Sequence, residues 1–134
     1  LQTSVSIADQ EALELTLPSA RAREMGVIAK RPLANVAWQY ARKPADSYYR
    51  TYWSRLRALD YAFLRDAPDT AVATALRFTL SVPGVHTAIV GTTKPARWQQ
   101  NAALLRAGAL PRDEFARIRA RWREVAGASW EGQV

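Results

Sequence analysis

The chain contains no cysteine. Disulfides, thiolate nucleophiles and cysteine-ligated metals are therefore excluded, and the absence fits a cytoplasmic protein. Histidine is nearly absent too: His86 stands alone, so any histidine-based metal site or Ser-His-Asp arrangement has to use it. It precedes an apolar strand, at the strand end that serves stability rather than chemistry in a barrel. No apolar run approaches the roughly 20 residues that cross a bilayer, and no signal-peptide or lipidation pattern is visible. Carboxylates are scattered over Asp9, Glu11, Glu14, Asp46, Asp60, Asp66 and Asp69. No two fall at consecutive strand ends, so no acid–base pair is legible. No internal repeat and no low-complexity linker interrupts the chain.

What is present describes an ordinary globular domain. The 134 residues are 49% apolar and 23% charged, enough for one core across residues 1–134. A net charge of +7 favours anionic partners: nucleic acid, an acidic membrane surface or a phosphorylated ligand. The chain opens without Met on LQTSVSI, already a strand pattern, which reads as the middle of a larger protein.

Strands and helices alternate. LQTSVSI (1–7) sets Leu1, Thr3, Val5 and Ile7 against polar neighbours, the period of a strand. Asp9 is placed to cap a helix over about 10–24, with Leu13, Leu17 and Ala20 on one face and Pro18 kinking it. VIA (27–29) is a short strand, and KRPLAN (30–35) a loop fixed by Pro32. YYRTYWSRLRAL (48–59) reads as a helix, with Tyr49, Trp53 and Leu56 on one stripe, Tyr52 and Leu59 on its flank, and Arg50, Arg55 and Arg57 elsewhere. A helix over about 68–81 carries Val72, Leu76 and Leu80 and stops at Pro83-Gly84. HTAIV (86–90) is a strand. A helix over about 95–106 turns Trp98, Ala102 and Leu105 inward, and a last one sets Phe115, Ile118, Trp122 and Val125 on one face before Gly127. This order implies βαβ units, a parallel sheet, and an α/β fold of the type of a partial (β/α)8 barrel. Three strands leave both sheet edges open, which predicts association between chains.

The stretch IVGTTKPARWQQN (89–101) carries the most chemistry. A strand-to-helix turn offers free N–H groups and a partial positive charge, which suits phosphate. Gly91 permits close approach, Thr92 and Thr93 bring hydroxyls, Lys94 brings charge, and Arg97 can pair bidentately. Gln100 and Asn101 can read an adenine edge. The same residues also describe a capped helix with solvated charges, and local chemistry leaves both readings open. VIAKRPLAN likewise presents Lys30 and Arg31 on either a site loop or an ordinary exposed one. The basic and aromatic helix 48–59 permits a nucleic-acid surface with stacking aromatics, or an amphipathic helix packed on the core. RDEFARIRARWRE (112–124) reads as a solvated outer helix.

Three segments carry a resemblance: LQTSVSIADQEALELTLPSAR, GVIAKRPLAN and ALRFTLSVPGVHTAIVGTTKPARWQQNAALL. They are similar to the C-terminal half of an aldo/keto reductase, the most specific part being PGV-x-T-x-IVGT-x-x-P with Asn101 six residues after Pro95. That family is a (β/α)8 barrel that reduces aldehydes and ketones with NADPH, and the segments resemble its sixth, seventh and eighth strands. The resemblance implies that Gln2 faces the nicotinamide carboxamide. It implies that Lys30, Arg31, Pro32, Leu33 and Asn35 form the loop over the nicotinamide and pyrophosphate. Gly91, Thr92, Thr93 and Lys94 would hold the adenosine and its 2′-phosphate, with Arg97, Gln100 and Asn101 on the phosphate and adenine. Lys30 stands where many members have an aromatic residue that stacks on nicotinamide, and lysine cannot stack that way. Gln100 stands for a common glutamate. The family's catalytic Asp, Tyr, Lys and His belong to the N-terminal half, so the resemblance implies a chain that is inactive alone, with no catalytic residue and no metal site. Two further readings differ in class: a basic nucleic-acid-binding module, and a half-barrel that self-associates without ligand.

Overall fold

A computed structural model describes residues 1–133. Its centre is a three-stranded parallel sheet of β1 (Gln2–Ser4), β2 (Ile28–Lys30) and β3 (Thr87–Ile89), in that spatial order. Gln2 pairs with Ile28 and Ile28 with Thr87, while Ser4 pairs with Lys30 and Lys30 with Ile89. Partners in a row share a face of the sheet. One face therefore carries Gln2, Ile28 and Thr87, then Ser4, Lys30 and Ile89. It stays largely open: Ile28 is 36% and Ile89 51% exposed. The opposite face, through Ala29, packs on the helical layer.

The helices are α1 (Glu11–Glu14), α2 (Thr16–Ala22), α3 (Ser47–Leu59), α4 (Pro68–Leu80), α5 (Arg97–Leu104) and α6 (Arg112–Val125). The single helix expected over 10–24 is two. Pro18 has no N–H for the Glu14 carbonyl, and the ladder breaks at Leu15, so the proline lies in the first turn of α2. Asp9 is not its cap. Gln10 occupies that position, and Asp9 is fully buried. Helix α3 starts where Asp46 accepts from the Tyr48 N–H at 2.8 Å, and ends at Asp60 in the left-handed region. Helix α4 begins with Pro68 in its first turn and is followed by Gly84. Gly84 has φ +93°, and the Arg21 side chain lies where a Cβ would sit, so the stop at Pro83-Gly84 requires glycine.

Val5, Ile7, Leu17, Val27, Ala29, Leu56, Leu59, Leu76 and Phe78 build the core. Phe78 of α4 stacks on Phe115 of α6 with ring centres 5.0 Å apart. Two arginines expected on solvated faces are buried, Arg55 in α3 and Arg119 in α6. Arg55 lies 3.9 Å from Asp9, donates to the Glu131 carbonyl at 2.8 Å, and packs on Trp130. Arg119 donates to Gln10 Oε1 at 2.7 Å and pairs with Glu14. Tyr52 and the Gln133 N–H both donate to Asp9, at 3.2 and 2.9 Å. Burial pushes the Asp9 carboxyl up, against the pull of the Gln133 N–H and Arg55. This polar cluster anchors α3, α6 and the tail to the turn after β1. His86, at the start of β3, accepts the Val27 N–H on Nδ1 at 3.1 Å, a role in strand pairing.

Candidate functional site

The carboxyl ends of β2 and β3 open into a cleft of two adjoining cavities, of about 400 and 550 Å³. Both volumes lie in the range of small-molecule sites. Leu33, Val36, Tyr48, Val90 and Gly91 line both and form the neck between them. The smaller cavity brings together Lys30, Arg31, Pro32, Leu33, Asn35 and Gly91. The larger adds Thr92, Thr93, Lys94, Arg97 and Asn101. Two residues singled out in the sequence line neither. Gln2 shares the open sheet face with Lys30 but sits one row toward the amino ends of the strands. Gln100 is exposed on α5, turned away from the wall that Asn101 builds.

The loop over the smaller cavity is strained. Arg31, Ala34, Asn35 and Val36 all have φ between 45° and 56°. For β-branched Val36 the left-handed region is sterically costly. The loop is tied to α3, where the Asn35 side-chain amide donates to the Tyr48 carbonyl at 2.8 Å. The Arg31 guanidinium lies 5.1 Å over the Tyr48 ring. Tyr48 meets Tyr49 edge-on at 5.1 Å, and Tyr49 meets Tyr40 at 5.2 Å. This aromatic wall is what sequence reasoning missed. Helical spacing marks Tyr48 and Tyr49 only as faces of α3, and nothing local tells that the first turn of α3 returns to the end of β2.

The far wall of the larger cavity is the turn before α5. Thr92 Oγ1 accepts the Lys94 N–H at 3.1 Å, which folds the turn. The helix starts at Arg97, two residues past Pro95, with Ala96 at its cap and no side-chain cap bond. The expected inward set Trp98, Ala102 and Leu105 is corrected in part. Trp98 is 64% exposed and Ala102 is exposed, while Asn101 is buried and Leu104 and Leu105 are half-buried. The face that meets α4 runs through Arg97, Asn101 and Leu104 at helical spacing, which places Trp98 a quarter-turn away. Asn101 is 6% exposed, lines the cavity, and its Oδ1 has no hydrogen-bond partner. Arg97 pairs with Asp69, at the start of α4, at 3.8 Å.

The arrangement is a cationic cleft with a largely apolar lining at the carboxyl ends of parallel strands, where open α/β sheets and barrels bind their ligands. Fold and site together define an α/β protein whose described residues form part of a (β/α)8 barrel. The sequence model of the aldo/keto reductase family matches residues 1–123, and the chain belongs to that family. Two solved structures share the fold: the aldo-keto reductase AKR11C1 from Bacillus halodurans in its apo and holo forms. Each is 18% identical with a TM-score of 0.73 and covers 96% of this chain. This chain covers 45% of the apo protein and 44% of the holo protein, so it spans less than half their length. No curated protein matches the sequence significantly. Among the described residues no helix is long and apolar enough to cross a membrane.

Proposed function

We propose that the cleft holds NADP(H), and that these strands serve an NADPH-dependent reduction of aldehydes or ketones to alcohols. Family membership supports the class of chemistry. The observation that carries the nucleotide reading is Asn101, which lines a cavity that also holds Lys94 and Arg97 and whose buried side-chain carbonyl oxygen has no partner. An orphaned buried acceptor costs free energy, and a turn of the Asn101 amide toward the cavity would offer it the amino group of adenine. Lys94 and Arg97 would take the 2′-phosphate, and Thr93 and Gly91 the adenosine. Lys30, Arg31, Pro32, Leu33 and Asn35 would close over the pyrophosphate and nicotinamide, with Tyr48 at the neck. Gln2, on the same sheet face, would reach the carboxamide. Bound NADPH supplies the hydride.

Reduction of a carbonyl also needs a proton donor beside the carbonyl oxygen. In our reading that donor belongs to the family's N-terminal half, and this chain does not turn over by itself. The test pairs two assays. Titration of the five tryptophans with NADPH should show saturable binding, weaker for NADH. Incubation with NADPH and 4-nitrobenzaldehyde should show no oxidation above buffer. Steady turnover would refute the claim of inactivity, and equal weak responses to all nucleotides would refute the cofactor claim.

The nucleic-acid reading loses support from the same geometry. Tyr52 and Arg55 are buried, and the Trp53 indole donates to the Tyr40 carbonyl at 2.9 Å beneath Arg57. These residues are committed to packing rather than to stacking on bases. The self-association reading keeps its support, because β1 and β3 are both edge strands among the described residues and Ile28 of β2 and Ile89 of β3 lie exposed on the open sheet face. Light scattering at tens of micromolar should show species larger than a monomer, and a clean monomer would count against it.

A further inference from the structure

We propose that Asp69 sets the preference of this site between a phosphorylated and an unphosphorylated adenosine ribose, by competing with the phosphate for Arg97. The inference rests on the nucleotide reading above. Among the described residues that line either cavity, Asp69 is the sole carboxylate. It stands across the larger cavity from the turn before α5, and its carboxylate lies 3.8 Å from the Arg97 guanidinium. The Asp69 side chain is 78% exposed and that of Arg97 32%. The pair therefore bridges α4 and α5 at the cavity's surface and not within the core.

Charge decides what such a bridge does. With Asp69 ionised, Lys94 and Arg97 leave the pocket one positive charge in surplus. Without it the surplus is two. A phosphate entering beside Arg97 must displace the carboxylate and then sit next to it, like charge beside like charge. A ribose with a free 2′-hydroxyl meets the same carboxylate as a hydrogen-bond acceptor, which is how acidic residues hold unphosphorylated dinucleotides elsewhere. One residue thus weakens one ligand and supports the other. The alternative role for Asp69 is local: an acidic residue in the first turn of α4 interacts favourably with the helix dipole. That role changes the stability of α4 and leaves ligand choice untouched.

The experiment measures dissociation constants of 2′,5′-ADP and 5′-AMP by calorimetry, for wild type, Asp69→Asn, Asp69→Ser and Asp69→Glu. Both neutral variants should shift the ratio toward 2′,5′-ADP by about two- to fivefold, the scale of an exposed ion pair. Raised salt should shrink the shift, and Asp69→Glu should keep the wild-type ratio. An unchanged ratio in both neutral variants, with both nucleotides still binding, overturns this proposal and leaves the nucleotide reading standing. If neither nucleotide binds the wild-type chain, both readings fall together. Both neutral variants lose the same dipole interaction, so a lowered Tm in both with an unchanged ratio of affinities shows the local role alone, and that outcome also overturns the proposal.

Discussion

Asn101→Leu separates a structural asparagine from one that waits for a ligand. In the free chain the Asn101 Oδ1 is buried with no partner. A buried polar group in that state costs about 1–3 kcal/mol relative to a satisfied one. Leucine has the same branched shape, a larger volume and no acceptor, and Asn101 lies beside an open cavity, so the larger side chain has room. The variant should be as stable as wild type or up to about 1 kcal/mol more stable, a rise in Tm of up to about 5 °C. Binding should move the other way. Losing one hydrogen bond of about 1 kcal/mol weakens 2′,5′-ADP about fivefold. Thermal denaturation followed by circular dichroism reads the first quantity and calorimetry the second. A variant that melts several degrees lower and binds 2′,5′-ADP as wild type does would refute the reasoning, because Asn101 would then be part of the scaffold alone.

Two predictions concern the scaffold. Phe78 is fully buried against Phe115, and Phe78→Ala should cost about 3–5 kcal/mol and lower Tm by more than about 10 °C in the same melting assay. Glu14 accepts from Arg123 at 3.0 Å and pairs with Arg119. The Arg123 hydrogen bond, above all, lowers its carboxyl below the ordinary 4.5. The group thus adds stability above pH 4.5, and loses it as pH falls through the lower folded value. Its side chain is 48% exposed, so after solvent screening Glu14→Gln should cost about 0.5 kcal/mol at neutral pH and nothing in acid. Urea titrations at both pH values check the sign, and a cost that grows in acid would contradict it.

Element type was legible where a period or a stop residue spoke. Alternation marked β1, and Pro83-Gly84 marked the stop after α4, because such signals act through the local backbone. Burial of charge was not legible. Arg55 and Arg119 look like solvent-facing cations, since arginine is rarely buried without partners. Their partners, Asp9, Gln10 and Glu14, are more than forty residues away and announce nothing locally. Asp9 has the chemistry of a helix cap, and tertiary packing used it as an acceptor for α3 and the tail instead. Trp98 was misplaced for a related reason. The apolar size of Trp98 points it inward by sequence, whereas helix phase turns Asn101 toward α4. Most of the cleft was legible, because the turn 91–97 and the loop 30–35 follow adjacent parallel strands. Tyr48 and Asp69 were not, because only the fold brings the starts of α3 and α4 to the same strand ends.

The central claim is that Lys94 and Arg97 receive a ribose phosphate, and the measurement that tests it most directly is calorimetric titration of 2′,5′-ADP against 5′-AMP. Lys94 and Arg97 line the same cavity. Wild type should bind 2′,5′-ADP more tightly than 5′-AMP, and Lys94→Ala should remove most of that difference, a weakening of about fivefold for 2′,5′-ADP alone. Equal affinity for the two nucleotides in wild type, or a Lys94→Ala variant that keeps the full difference, would contradict the account.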